Sequence, residues 1–237
     1  MLQRIKLKLI LGLVVLFAGM NTATASSILL YDDFQYSGID TWGDALSGLG
    51  HTVTTTGNDT DFVTQLASPW DLVVVQFDST GHGTAAAALS AYVAGGDAAI
   101  FGHWLTEADA AFDVTQAATN LGTLTMTPLF SSGLSSSVLS LTNPTYGTFS
   151  RSFTPDIGSL VAASFEDGNA GIVVGNSGAT IINGFLGNTL GYADEVQLYQ
   201  NEVNFLLGAE PVPEPATLAL LGIGLAGLGF GRRRKSA

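Results

Sequence analysis

Seven consecutive residues in the middle of the chain limit its architecture more than any other feature. Asp71 to Phe77 reads DLVVVQF, an almost unbroken apolar run rich in β-branched residues. A strand apolar on both faces has to be covered on both faces, which describes a central strand of a parallel sheet rather than one lying on a half-wet surface. The flanking sequence supplies the cover. Ile28-Leu29-Leu30-Tyr31 is a second apolar run, ending in Asp32-Asp33. Ile39, Trp42, Leu46 and Leu49 then recur at helical spacing up to Gly50, a helix stop. His51 to Thr56 predicts a further strand, and Asp59 is placed to cap a short helix carrying Phe62, Val63 and Leu66.

Beyond the central run, Thr84 is placed to cap a helix through Ala94 that ends at Gly95-Gly96, with Leu89, Tyr92 and Val93 facing a sheet. Ala98 to Phe101 predicts a fourth strand. From there to about Pro155 the periodicity fails, leaving short antiparallel strands around Val138–Leu141 and Thr148–Phe153 as the expectation. Leu160–Phe165, Gly171–Val174 and Ala179–Phe185 predict later strands. A closing helix, with Asp194 as cap and Gln197 in a capping box, is expected to bury Val196, Tyr199, Val203, Leu206 and Leu207. Alternating β and α elements around apolar strands predict an α/β fold: a doubly wound, mostly parallel sheet sandwiched between two helical layers. The element order resembles the flavodoxin-like domain of the class I glutamine amidotransferase-like superfamily. The resemblance is carried by Ile28–Asp32, Asp71–Val75, Ile172–Asn176 and the closing Tyr192-Ala193-Asp194 that leads to Asn204-Phe205-Leu206-Leu207.

Charge divides the chain into three parts. Seven of its eight basic residues lie at the ends, and between residues 26 and 210 a single arginine, Arg151, stands against nineteen acids. Nothing in that interior can neutralise a phosphate backbone, so nucleic-acid binding is excluded for it. The basic ends flank apolar segments. Arg4, Lys6 and Lys8 precede the apolar or glycine run Leu9–Met20, and Ala23 and Ala25 are small residues at the positions preceding a cleavage site. Residues 1–25 therefore predict a secretory signal peptide cut by signal peptidase. At the other end, Val212-Pro213-Glu214-Pro215 leads into an uncharged stretch, Ala216–Gly231, that predicts a single short transmembrane helix. Such a helix spans roughly 24 Å at about 1.5 Å per residue, against a bilayer core of about 30 Å. Arg232, Arg233, Arg234 and Lys235 follow and should stay cytoplasmic.

That tripartite end, residues 211–237, resembles the PEP-CTERM sorting domain of Gram-negative bacteria. The resemblance implies processing by an exosortase-type membrane enzyme near the Pro-Glu-Pro motif. It further implies a transient membrane anchor and delivery to the cell surface or extracellular matrix, often in biofilm-forming species. Residues 26–210 are then one exported α/β domain.

Ligands of an open α/β sheet sit beyond the carboxyl ends of the strands. The polar residues expected there are Asp32 and Asp33, Asp78, Ser79 and His82, His103 and Glu107, and Asn176 and Ser177. The chain has no cysteine, so the nucleophile of amidotransferase chemistry is missing and glutaminase activity by that route is excluded. No Gly-x-Ser-x-Gly elbow replaces it. No catalytic residue is assigned. Asp32, Asp33, Asp78, His82 and His103 are ligand types suited to zinc or another divalent ion, but without diagnostic spacing; helix capping and loop hydrogen bonds account for the same residues. Asn58-Asp59-Thr60-Asp61 suggests calcium but lacks the glycine and distal glutamate of an EF-hand loop, so a helix cap is the favoured reading. Trp42, Trp70 and Trp104 are either core or stacking groups for polysaccharide. The expected function is a non-catalytic binding or scaffold module in the envelope or matrix. The alternative is an extracellular metal-dependent hydrolase or carbohydrate-active protein built on the strand-end His/Asp residues.

Overall fold

The computed structural model describes residues 25–33, 40–104, 107–142 and 149–208. Residues 1–24 of the signal peptide, Ala23 among them, the helix residue Ile39 and the sorting tail (Val212–Pro215, the 216–231 span and Arg232–Arg234) lie outside the described residues.

The chain runs β1 (Ser27–Asp32), α1 (Thr41–Leu49), β2 (Thr52–Thr56), α2 (Asp59–Gln65), β3 (Leu72–Phe77), α3 (Gly83–Ala94) and β4 (Ala99–His103). After a 3-10 turn at Asp109–Phe112 come β5 (Val114–Thr119), β6 (Thr123–Met126), β7 (Val138–Ser140), β8 (Arg151–Pro155), β9 (Leu160–Phe165) and β10 (Ala170–Gly175). A turn at Asn176–Gly178 leads to β11 (Thr180–Asn183), and α4 (Tyr192–Leu207) closes the domain.

The parallel core is ordered β2-β1-β3-β4-β11. The inner strands β1, β3, β4 and β11 alternate their side chains between two apolar cores. Ile28, Leu30, Leu72, Val74 and Ile100 face Trp42 and Leu46 of α1 and Leu198 and Tyr199 of α4. Leu29, Tyr31, Val73, Val75 and Phe101 face Phe62 of α2 and Leu89 of α3. This is the three-layer, doubly wound arrangement expected from the fully buried β3. Beyond β11 the sheet turns antiparallel, through β10, β9, β6 and β7, with β8 pairing β10 and β5. The sheet is therefore mixed, with a parallel core. β5 and β6 went unread in the sequence because each is short and threonine-rich, burying only alternate residues.

Three capping expectations are corrected. Asn58, not Asp59, caps α2, accepting a bond from the Asp61 N–H at 3.0 Å. Thr84 lies inside α3, whose cap position is held by His82 without a side-chain cap bond. Asp194 sits in the first turn of α4 behind Gly191, and its carboxylate instead accepts from the Ser135 N–H and hydroxyl. The buried face of α4 is also turned from the apolar pattern: Glu195, Leu198, Tyr199, Glu202 and Val203 are buried, while Val196, Leu206 and Leu207 are partly exposed. Glu195 tolerates burial because four donors serve it: the N–H groups of Asn188 and Leu190 and the hydroxyls of Thr41 and Tyr199. Among the described residues no helix is long and apolar enough to cross a membrane.

Candidate functional site

The strand order reverses between β1 and β3, which makes their carboxyl ends the crevice where a fold of this kind holds ligands. Both strands end in acid: Asp32-Asp33 after one, Asp78 after the other. Strand alternation splits these groups between the two faces of the sheet.

On the α2/α3 face, His82 is gripped from both sides. Its Nδ1 lies 2.8 Å from Asp59 Oδ1 and its Nε2 lies 2.8 Å from Asp33 Oδ2. Both nitrogens face carboxylate oxygens, an arrangement that favours the charged imidazolium. Burial works against that charge, but the hydrogen bond to Asp59 and the charges of Asp33 and Asp59 outweigh it and raise the pKa. Burial likewise opposes the charge on Asp59, and the bonds from His82 and Tyr31 hold its pKa below the ordinary value. The Tyr31 hydroxyl donates to Asp59 Oδ1 at 2.8 Å. Asp33 is further saturated by the N–H groups of Asp78 and Ser79, at 2.7 and 3.1 Å, and by the Ser79 hydroxyl. The Phe77 ring stacks on His82 with centroids 4.6 Å apart.

Ser79 Oγ is also 2.9 Å from His82 Nε2, so hydroxyl, imidazole and the Asp59 carboxylate follow one another as in a hydrolase triad. The proton inventory differs. A general base needs a free lone pair on the nitrogen facing the serine. Here Asp33 Oδ2 lies 2.8 Å from that same nitrogen and also accepts from the Ser79 hydroxyl, which favours a protonated Nε2 over a free lone pair.

On the α1/α4 face, Asp78 accepts from Gln76 Nε2 at 2.9 Å. Its pKa is raised to about 9, first by burial and then by the charge of Asp32. Behind it, burial raises Glu195 to about 7 and Glu202 to about 8, although Asn183 Nδ2 donates to Glu202 at 3.0 Å. These are neutral or half-neutral carboxyls at neutral pH, serving as structural hydrogen-bonding groups.

His103 stands apart at the end of β4, fully buried. The Phe77 ring contacts both histidines, meeting His103 edge-on at 5.5 Å. Of the five residues expected as ligand types, the structure joins Asp33 to His82. Asp32 and Asp78 belong to the other face, and His103 is held away by Phe77. Among the described residues no three His, Asp or Glu side chains are grouped to hold a metal ion.

Sequence reasoning missed Tyr31 and Asp59 as partners of His82, and it missed Arg151. Arg151 is fully buried, its Nη1 paired with Asp109 and its Nε donating to the His103 carbonyl at 2.9 Å. A signal existed: a lone guanidinium among nineteen carboxylates is the residue expected to be drawn into a buried pair. Of the tryptophans, Trp42 is core, stacked on Tyr199 at 3.7 Å, and Trp70 donates to the Gln65 carbonyl at 2.8 Å.

None of the curated proteins matches the chain. Among solved structures it is similar to a glutamine amidotransferase from Thermotoga maritima, with TM-score 0.57 and 9% identity over 78% of this chain and 100% of that one. It is also similar to a GMP synthase-like protein from Thermoplasma acidophilum, with TM-score 0.56 and 10% identity over 77% and 96% of the two chains. A β-galactosidase from Halorubrum lacusprofundi gives TM-score 0.51 and 14% identity over 80% of this chain but 32% of its own. At these identities the likeness is one of fold, and that fold is amidotransferase-like. Residues 211–235 match the PEP-CTERM protein-sorting motif, so the chain ends in the tail of an exported protein sorted at a membrane.

Proposed function

We propose that this is an exported envelope or extracellular-matrix protein whose amidotransferase-like domain is a non-catalytic binding or scaffold module. On this reading signal peptidase removes residues 1–25. The 216–231 span holds the chain transiently in the inner membrane of a Gram-negative bacterium, and an exosortase-type enzyme then releases it near the Pro213-Glu214-Pro215 motif. The observation that carries the non-catalytic part is the clamp on His82. With no cysteine in the chain and both imidazole nitrogens facing carboxylates, the described residues of the switch-point crevice include no activated nucleophile. Use of this fold outside amidotransferases supports the reading, since it makes up about a third of the β-galactosidase chain.

Two measurements on the full-length chain test it. Nitrogen NMR should show His82 doubly protonated at pH 7, and ester, amide and glycoside substrates should not turn over. A deprotonated Nε2 together with turnover lost in Ser79→Ala would establish a hydrolase instead. For the tail, deleting Arg232–Lys235 should abolish carboxyl-terminal processing in a host with the sorting enzyme; unchanged processing argues against that route. The metal-dependent alternative predicts stoichiometric zinc that is lost on His82→Ala.

A further inference from the structure

The large apolar side chains left on the surface gather at one end of the domain. Eight are exposed among the described residues, and five of them, Leu129, Ile157, Leu160, Val161 and Phe205, lie toward the amino ends of the parallel strands, away from the crevice. Strand pairing places them. Leu160 opposes Val174, and the next residue of β10, Gly175, pairs with Thr180 at the start of β11, which pairs in turn with Ala99 at the start of β4. Val161 follows against Val173. Ile157 reaches the same end because the Asp156 N–H donates to the Asp113 carbonyl, and Asp113 Oδ2 accepts from the N–H of Asn176, the residue after Gly175. Helix α4 follows from the crevice end, where Gly187 borders Asp78, and runs back along the sheet to bring Phe205 edge-on against Phe130 at 5.5 Å. Leu129 adjoins Phe130, held by the Thr127 N–H bonded to Ala162 of β9.

Ile157 is the extreme case. It stands fully exposed at the tip of a four-residue turn, closed by the Ser159 N–H on the Asp156 carbonyl at 3.2 Å, with Gly158 at φ +103°. Turn tips ordinarily carry polar residues, glycine or proline, and an isoleucine there gives its whole apolar surface to water. The chain also leaves the domain from this end. Helix α4 stops at Leu207, and eight residues, 208–215, separate it from the apolar 216–231 segment. Eight residues reach at most about 28 Å, so insertion of that segment keeps the end of α4 close to a bilayer.

Charge selects the occupant. No lysine or arginine is exposed among the described residues, and Asp113 and Asp156 border the apolar groups, so anionic headgroups are repelled rather than held. A second copy is disfavoured on the same ground, since each domain sets one arginine against nineteen acids. A zwitterionic lipid surface takes up apolar side chains without that repulsion. We propose that the amino end of the sheet docks, through Ile157 and the apolar side chains around it, on the neutral lipid surface of the bilayer that holds the 216–231 span. The crevice is then turned toward solvent, at the far end of the sheet. The docking rests on the membrane-anchored stage of the exported-protein reading and gives that stage an orientation.

The chain has no cysteine, so a single introduced thiol is labelled uniquely. The exported, tail-bearing chain, from a host without the sorting enzyme, is reconstituted into phosphatidylcholine vesicles. Ile157→Cys and Leu129→Cys each carry an environment-sensitive fluorophore, as does Thr60→Cys, an exposed site at the start of α2 near the crevice end. Nitroxide-labelled lipid should quench the labels at 157 and 129 several-fold more than the label at 60, with emission shifted to the blue. Adding Leu160→Glu, at a side chain 53% exposed, should lower the quenching at 157 several-fold without lowering the melting temperature. Docking is overturned if the chain floats with the vesicles while 157 and 129 are quenched no more than 60. It is also overturned if those labels are shielded from iodide but not quenched by lipid nitroxide, the result of a second copy on this face. Either failure leaves the exported-protein reading standing. A chain that does not float with the vesicles overturns the anchored stage itself, and the docking with it.

Discussion

Asp33, Asp59 and His82 tie loops together. Asp33 ties the end of β1 to the start of the β3–α3 connection by accepting two backbone N–H bonds, and His82 carries that tie across to Asp59 on α2. Removing the cation leaves two carboxylates facing each other in a largely buried place. His82→Gln should therefore cost about 2 kcal/mol, below the 3–5 typical of fully buried pairs because Asp59 is partly exposed. Chemical denaturation measures it. A cost near zero would mean that the clamp contributes little. Asp33 and His82 were visible in the sequence as strand-end polar residues. That the two meet was not, because their meeting depends on the register of β1 against β3.

Helix α4 shows the same limit at the level of an element. Its existence was legible from periodicity, but its buried face was not, because hydropathy alone does not place Glu195 and Glu202 inside. What licenses them is a set of partners distant in sequence, Thr41 and Asn183. Since burial raises the Glu202 pKa to about 8, its ionisation strains the folded state at high pH. Glu202→Gln removes that ionisation while keeping the shape. The variant should match the parent near pH 4, where both states are protonated, and should melt higher at pH 9. Parallel melting curves across that range would contradict the placement of Glu202 in the core. β5 and β6 were missed for a related reason: strands of four to six residues buried on one side carry too little pattern to separate from a loop.

For the molecule as a whole, the titrating groups act together. Asp78, Glu195 and Glu202 have folded pKa values raised to about 9, 7 and 8. The unfolded chain ionises these carboxyls near pH 4, so stability falls as pH rises from there toward those values. The raised pKa of His82 has the same sign: its contribution is full below about pH 6.5 and is lost as pH climbs through the folded value. The lowered pKa values of Asp59, Asp71, Glu166 and Asp167 act in the other direction, and their contributions disappear at acid pH. The melting temperature should peak near pH 5 and decline toward pH 9, at about 2–4 °C for each kcal/mol in a domain of this size. Scanning calorimetry across pH checks this, and a maximum at pH 8 would refute it. Arg151 is buried, so no lysine or arginine is exposed among the described residues.

By itself the sequence determined whatever depends on local order and on counts. Those are the doubly wound core around a strand apolar on both faces, the sorting tail with its fixed succession of motif, apolar span and arginines, and the loss of thiol chemistry with the missing cysteine. The tertiary structure alone decided which polar groups meet. His82 and His103 are both strand-end histidines in an acidic chain, yet one is clamped between two carboxylates that raise its pKa and the other is a fully buried ring whose pKa burial pushes down to about 3. A side chain's protonation state is set by the charges and dipoles within a few ångströms of it, and those neighbours are brought together by the packing of strands far apart in sequence.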